Sequence, residues 1–415
     1  MSGPRAALVI VGSELLDGRW RDDNGPFLSA SLAAHGVRVA HILVVPDDLD
    51  VLTADLRFLL AGEPDVLVVC GGLGTTHDDL TTAAVAATLD RPLCEDLQAR
   101  SWVEEATRRV SERRHVPFDE LLARTLKEAR LPEGSRALPP AGLAPGYAIA
   151  AGPTRLYVLP GVPGEIEAMW PPILAELARD GLLSDVAVRT VRAYGVGEIQ
   201  AQPLLDEAAA DGLDVAVTAS AGEVTVVVKY EPGDERAAAR VERLVADLEA
   251  TLPVFSSDGR SIDDIVADRL RERGETVAVA ESCTGGGLGG RLTALPRSSD
   301  YFLGGVIAYA NEAKMELLEV PHGMLGQYGA VSGEVAGAMA EGVRATLRAT
   351  YGVAITGVAG PGGGTAEKPA GLVYLGCSSP QGTVVEERRF AGGRHQVRRW
   401  AIVAALHLLH DAIVS

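Results

Sequence analysis

Residues 66–82 read VLVVCGGLGTTHDDLTT, and residues 276–290 read TVAVAESCTGGGLGG. In both, an apolar run of strand length breaks into glycines and polar residues just before a helical pattern. A run this short and uniformly apolar suits a strand buried on both faces, as in parallel sheets covered by helices. Working outward from the first stretch, strands fit at 6–11, 37–45, 148–150 and 156–159, with helices at 26–35, 50–61 and 79–89. Outward from the second, strands fit at 304–309, 353–356, 372–377 and 383–390, and the chain closes on a helix at 395–414. Strand–helix alternation predicts mainly parallel sheets with helices on both faces. Between them, 185–254 reads as a smaller α+β string, with strands at 186–193, 215–218 and 224–230 and helices at 199–211 and 234–252. The fold class is therefore α/β, in three domains: 1–180, 181–256 and 257–415.

The 415 residues carry 38 Lys and Arg against 56 Asp and Glu, a formal charge of −18. That balance excludes a general polyanion binder, whose affinity starts from cations neutralising phosphates. Over 185–255 there are 6 basic and 13 acidic residues, so no nucleic-acid binding is expected there. The cysteines Cys70, Cys94, Cys283 and Cys377 lack C-x-x-C spacing and read as reduced thiols. No apolar stretch is long enough to span a bilayer, and a cytoplasmic protein without membrane contact is expected.

Three loops fall after apolar strands of the first domain: 12–16 (GSELL, followed by Asp22, Asp23 and Asn24), 71–79 and 159–165 (LPGVPGE). In a doubly wound sheet the C-terminal strand ends share one edge, where ligands bind. Gly72, Gly74 and Thr76 would let the backbone approach a phosphate, and the carboxylates of Asp78 and Asp79 suit a hard divalent cation carrying a diphosphate. The plainer reading is a tight strand–helix turn with Asp78 or Asp79 as N-cap.

In the last third, Ser282 stands at a strand end before glycines, where a hydroxyl is exposed beside main-chain N–H groups. Asn311 reads as an N-cap, which puts Lys314 in the first helical turn, where the positive helix end disfavours the ammonium form. Lys314 would then serve as base, with Tyr309 relaying the proton; a surface Lys beside a core Tyr is the simpler alternative. Cys283 is a rival nucleophile. Gly285, Gly287 and Gly290, with Glu312 beyond, also satisfy the G-x-G-x-x-G dinucleotide pattern, which leaves a nicotinamide-dependent oxidoreductase open. Thr356 ends a strand ahead of the loop with Gly357 and Gly360. Arg394 is free to fork onto a phosphate. His407 and His410 sit three apart on the last helix without a third metal ligand in view.

The runs GSELLDGRWRDDN (12–24), GGLGTTHDDLT (71–81) and LPGVPGEIEAMW (159–170), with ESCTGG (281–286), AYANEAK (308–314), GAVSGEVA (329–336) and TGVAGPGGG (356–364), resemble the CinA family over nearly the whole chain. Ser13, Asp23 and Thr75 depart from the family's usual Thr, Thr and Pro. The resemblance implies a MogA/MoaB-like three-layer first domain, a KH-like middle domain and a C-terminal α/β nicotinamide mononucleotide deamidase. It implies Ser282 as nucleophile supported by Tyr309, Lys314 and Thr356. Thr284, Gly285, Gly286, Gly357, Gly360 and Arg394 would bind substrate, and no cofactor would be needed. For the first domain it implies a metal-dependent ADP-ribose pyrophosphatase, with Glu14, Asn24, Asp78, Asp79 and Glu165 facing the divalent metal or substrate. The expected partners are small-molecule nucleotides and a second copy of the chain. A non-catalytic competence or recombination partner is the alternative from another class.

Overall fold

The computed structural model describes residues 3–415, which form two compact units, one ending at Val186 and the other running Ala187–Ser415. The first unit is built on a six-stranded sheet in the order 38–45, 5–11, 66–70, 154–159, 146–151, 136–138. The first four strands pair in parallel, 146–151 runs against them, and 136–138 pairs antiparallel with 146–151. Strand Arg5–Val11 shows why its run is apolar throughout. Ala7, Val9 and Val11 face one core with helices Leu49–Ala61, Thr81–Leu89 and Leu97–Arg114. Ala6, Leu8 and Ile10 face the other, with helices Asn24–Ala34 and Pro163–Arg179. A strand with period-2 side chains and a core on each side has no position left for a polar residue.

The region between Leu93 and Leu138 carries elements that the sequence pattern leaves unassigned. They are short strands Leu93–Glu95, Arg130–Pro132 and Arg136–Leu138, helices Leu97–Arg114 and Phe118–Thr125, and a 3-10 turn at Leu126–Ala129. The helix expected from residue 79 starts instead at Thr81, without a side-chain cap, because Asp79 turns back to bond Thr76.

The second unit holds two sheets. An antiparallel four-stranded sheet, in the order 214–220, 223–230, 187–194, 254–256, packs helices Glu198–Ala210 and Glu235–Thr251 over its own core. A five-stranded sheet has the order 302–307, 277–281, 351–357, 372–379, 382–389; its first three strands are parallel. Val277 and Val279 face a core closed by helices Ile262–Arg273 and Arg394–Val414, and Ala278 and Ala280 face helix Gly333–Leu347. The residues expected as a separate middle domain thus keep their own sheet and core within the larger compact unit. No described helix is long and apolar enough to cross a membrane.

A buried histidine joins the two sheets of this unit. The His407 ring lies flat on Tyr194 at 3.7 Å, meets Phe255 edge-on, and its Nε2 is 2.9 Å from Glu223 Oε1. His407 is therefore a packing residue with a carboxylate partner, and among the described residues no group of three His, Cys, Asp or Glu is placed to hold a metal. Burial lowers the His407 pKa below its ordinary 6.5, against the raising effect of Glu223. A depressed folded-state pKa means the unfolded chain takes up the proton first as pH falls. The stability contributed by neutral His407 is therefore present above the unfolded value and lost below it. The melting temperature of the chain's second unit should fall between about pH 7.5 and about pH 5.5. Calorimetry on the His407→Gln variant should show a smaller fall; an equal fall would remove His407 from the acid response.

Candidate functional sites

Both parallel sheets reverse strand order beside their first strand, which opens a crevice at the C-terminal edge. In the first unit, strands 5–11, 66–70 and 154–159 are in register, with Ile10 opposite Cys70 and Cys70 opposite Leu159. Their three loops therefore leave the sheet at one level and line a single cavity of about 810 Å³. Gly71 N–H donates to Leu159 O at 3.0 Å, and Asn24 Nδ2 donates to Gly161 O at 2.8 Å. At Gly71 (φ 104°) a Cβ would stand 2.4 Å from Val11 O, and at Gly72 (φ 66°) 2.2 Å from Thr81 Oγ1. Only glycine fits either position. The N–H groups of Gly72, Leu73, Gly74 and Thr75 have no partner among the described residues, which leaves a cradle of four consecutive donors available to an anion.

The structure places Glu14, Asn24, Asp78, Asp79 and Glu165 on this cavity together with Gly72, Gly74 and Thr76. It does not draw three of the carboxylates into a cage. Asp79 Oδ2 accepts from Thr76 N and Oγ1 at 2.7 and 2.6 Å, so Asp79 shapes the loop with one oxygen and leaves the other available. Burial raises the Glu165 pKa.

Glu128, from the 3-10 turn, lines the same cavity and was not legible as a site residue, since LKEAR reads as a solvated charged segment. It is 7 % exposed, and neither carboxylate oxygen has a hydrogen-bond partner. Burial pushes its pKa up to about 8; Lys127 opposes the rise and Asp79 and Glu165 add to it. The donor set is all hard oxygen. Seven other carboxylates and a single guanidinium, Arg21, share the cavity. A cation that keeps most of its waters and rides on substrate phosphates needs only one or two protein carboxylates. The residues present therefore fit such a cation and do not fit a dedicated all-protein site.

In the second unit, the strand Val277–Glu281 delivers Ser282 to the sheet edge, where Ser282 N–H donates to Ile355 O at 2.9 Å. Lys314, on helix Asn311–Leu318, is 1 % exposed. Its Nζ donates to Ala308 O at 2.7 Å and Tyr309 O at 3.2 Å, and lies 3.4 Å from Ser282 Oγ. No carboxylate pairs with it, and burial lowers its pKa. Lys314 is thus no surface residue. Desolvation is the leading cause, and Asn311 is the first helical residue, with Ala310 as N-cap.

Two expectations are corrected here. The Tyr309 side chain is 63 % exposed; only its carbonyl touches Lys314, and its hydroxyl lies 3.5 Å from Arg394 Nη2. That hydroxyl bonds neither Lys314 nor Ser282, so it does not relay a proton between them. Thr356 Oγ1 donates to Ala330 O at 2.8 Å and so anchors a neighbouring loop. Arg394 Nη1 reaches Gly360 O at 3.2 Å, and Arg398 Nη2 holds Thr284 O at 2.6 Å, leaving buried Thr284 Oγ1 unpartnered. Cys283 is buried, and desolvation pushes its thiol up to about 11, which makes it a poor thiolate source.

The residue that organises this loop is Glu281, which sequence reading passed over. It is buried, and its carboxylate accepts from the N–H groups of Gly286, Leu288 and Gly289 at 3.1, 3.1 and 2.8 Å. Gly285 and Gly287 N–H are spent on turn bonds to Ser282 O and Thr284 O. The glycine run therefore cannot cradle a dinucleotide pyrophosphate, because the protein's own carboxylate fills that position. The N–H groups of Cys283 and Thr284, beside Ser282, remain without partners among the described residues.

The C-terminal portion, residues 259–413, matches the model of the CinA C-terminal domain, and residues 7–179 match that of a probable molybdopterin-binding domain. A CinA-like protein of Mycobacterium sp. strain JLS is 40 % identical over 422 residues, covering 99 % of both chains. One from Mycobacterium leprae is 36 % identical over 420 residues, covering 99 % of this chain and 97 % of its own. Among solved structures, the competence/damage-inducible protein of Agrobacterium tumefaciens is 38 % identical, covering 38 % of this chain and 98 % of its own, with a TM-score of 0.36.

Hydrogen bonds to an ionised group contribute about 1.5–3 kcal/mol each. Glu281→Gln keeps the shape but turns an NH₂ toward an N–H donor. It should destabilise the second unit by about 2–4 kcal/mol, read by urea unfolding, whereas a loss below about 0.5 kcal/mol would show the loop standing without its carboxylate.

Proposed function

Because the chain belongs to the CinA family, we propose that it is a hydrolase with two independent nucleotide sites. The second unit removes the carboxamide nitrogen of nicotinamide mononucleotide, and the first cleaves the pyrophosphate bond of ADP-ribose. The observation that carries the first activity is a buried, acid-free Lys314 ammonium position 3.4 Å from Ser282 Oγ.

A neutral Lys314 amine has two N–H bonds for the carbonyls of Ala308 and Tyr309 and one lone pair left for the Ser282 proton. Desolvation makes that neutral form accessible at lower pH than for a free lysine. Ser282 Oγ attacks the carboxamide carbon as Lys314 takes its proton. The developing oxyanion is met by the N–H groups of Cys283 and Thr284. Lys314 returns the proton to the departing nitrogen, the C–N bond breaks, and ammonia leaves an acyl ester on Ser282. Water then adds to the ester, Lys314 accepts its proton, and Ser282 regains the hydroxyl as the acid is released. Arg394, exposed beside the Tyr309 hydroxyl, suits the nucleotide phosphate.

For the first unit, the support is the free N–H cradle of residues 72–75 facing a ring of carboxylates. A divalent cation bound there would neutralise the diphosphate and polarise the scissile bond. The cradle holds phosphate oxygens, Asp79 fixes the loop through Thr76, and Asn24 ties the first loop to the third. Without a cation the cavity would repel a diphosphate, since its lining is strongly negative.

One set of assays on the full chain separates the two activities. Ser282→Ala should lower ammonia release by at least about 10³-fold, Cys283→Ala by less than about tenfold, and neither should change ADP-ribose cleavage. Asp79→Asn, or a chelator, should do the reverse. Ammonia release that survives Ser282→Ala but fails in Cys283→Ala reverses the nucleophile; ADP-ribose cleavage indifferent to a chelator removes the cation.

A further inference from the structure

We propose that Glu128 is the innermost protein ligand of a divalent cation that enters the first unit's cavity together with a diphosphate. The inference rests on the cation-dependent reading of that cavity and assigns it a residue that no motif marks.

A carboxylate that is nine-tenths buried ordinarily finds a cation or a set of N–H donors. Glu281 in the same chain shows the ordinary solution, with three main-chain donors on its two oxygens. Glu128 has none on either oxygen. The nearest ammonium does not supply the deficit, because Lys127 Nζ donates to the carbonyl of Thr76. Nor is the side chain there by accident of a loose loop. Its turn is pinned on both flanks: Asp96 N–H donates to Ala129 O at 2.8 Å, and the buried hydroxyls of Thr125 and Thr107 meet at 2.8 Å. Ala129 is fully buried.

A fixed backbone thus holds an uncompensated carboxylate against a cavity that already carries seven others. For folding alone, Gln or an apolar residue of similar size would serve better, since a buried carboxyl without partners destabilises whether it stays charged or takes up a proton. The arrangement becomes favourable when a cation arrives: Glu128 gains the partner it lacks, and the free oxygen of Asp79 and the carboxylate of Glu165 lie on the same cavity. Because no three carboxylates converge, the remaining positions on the cation fall to water and to phosphate oxygens held by the 72–75 cradle. This predicts that cation and diphosphate bind together, each weakly without the other.

The test is Mn²⁺ binding to the full chain with ADP present, read by the electron paramagnetic resonance of free Mn²⁺, alongside the metal-free melting temperature. Glu128→Gln should weaken Mn²⁺ binding at least about tenfold and leave the metal-free melting temperature equal or higher; Glu133→Gln, exposed nearby in sequence, should change neither. Weakening of less than about tenfold, or a wild-type chain that binds no Mn²⁺, overturns the assignment. A metal-free melting temperature that drops by more than about 4 °C makes Glu128 a structural residue and also overturns it. If the wild type binds Mn²⁺ with ADP but leaves ADP-ribose uncleaved, the pyrophosphatase reading fails and the role of Glu128 stands.

Discussion

Strands buried on both faces leave polar chemistry one place to go, the edge where the strands end. In Arg5–Val11 and Val277–Glu281 successive side chains enter opposite cores, so no interior position tolerates a functional group. Both sheets reverse direction of growth beside these strands, and the loops on either side of the reversal are held apart at the edge. The two units use this constraint independently. One gathers three loops around an acidic cavity; the other sets Ser282 between the loops after strands 302–307 and 351–357.

What differs is how each edge treats negative charge. The second unit satisfies its own buried carboxylate completely: Glu281 takes three of the glycine loop's N–H groups, turn bonds take two more, and two beside Ser282 remain. The first unit leaves its loop N–H groups free and its buried carboxylate, Glu128, unpartnered. A preorganised loop with two spare donors suits a small oxyanion formed in place. A cradle with spare donors and spare carboxylates suits an anion that arrives with its own cation. The same glycine-rich strand–helix junction thus suits two different ligands according to which internal group fills it.

Much of this was legible in the sequence. The apolar runs, the glycine breaks and the strand–helix alternation specify two α/β sheets, the loops after strands put Ser282 and Asp79 at the edges, and the pattern after Asn311 puts Lys314 in the first turn of a helix. Residues 93–138 were not legible: short strands such as Leu93–Glu95 and a single 3-10 turn carry too few residues to show a period, and Glu128 within them looks like any solvated acid. Tyr309 misled because an aromatic beside a lysine suggests a proton relay, whereas its backbone carbonyl makes the contact. Glu281 was hidden in plain view, since a motif shows which residues recur and not which N–H groups they hold. Side-chain direction and hydrogen-bond bookkeeping are three-dimensional facts.

The claim on which the account turns is that Ser282, with buried Lys314 beside it, carries the acyl group. Acid-quenching the chain during turnover of nicotinamide mononucleotide, followed by peptide mass spectrometry, addresses it directly. The account predicts an acyl adduct on Ser282 and on no other residue of the 281–286 loop. Turnover with an adduct on Cys283, or with Ser282 unmodified at every quench time, would contradict it.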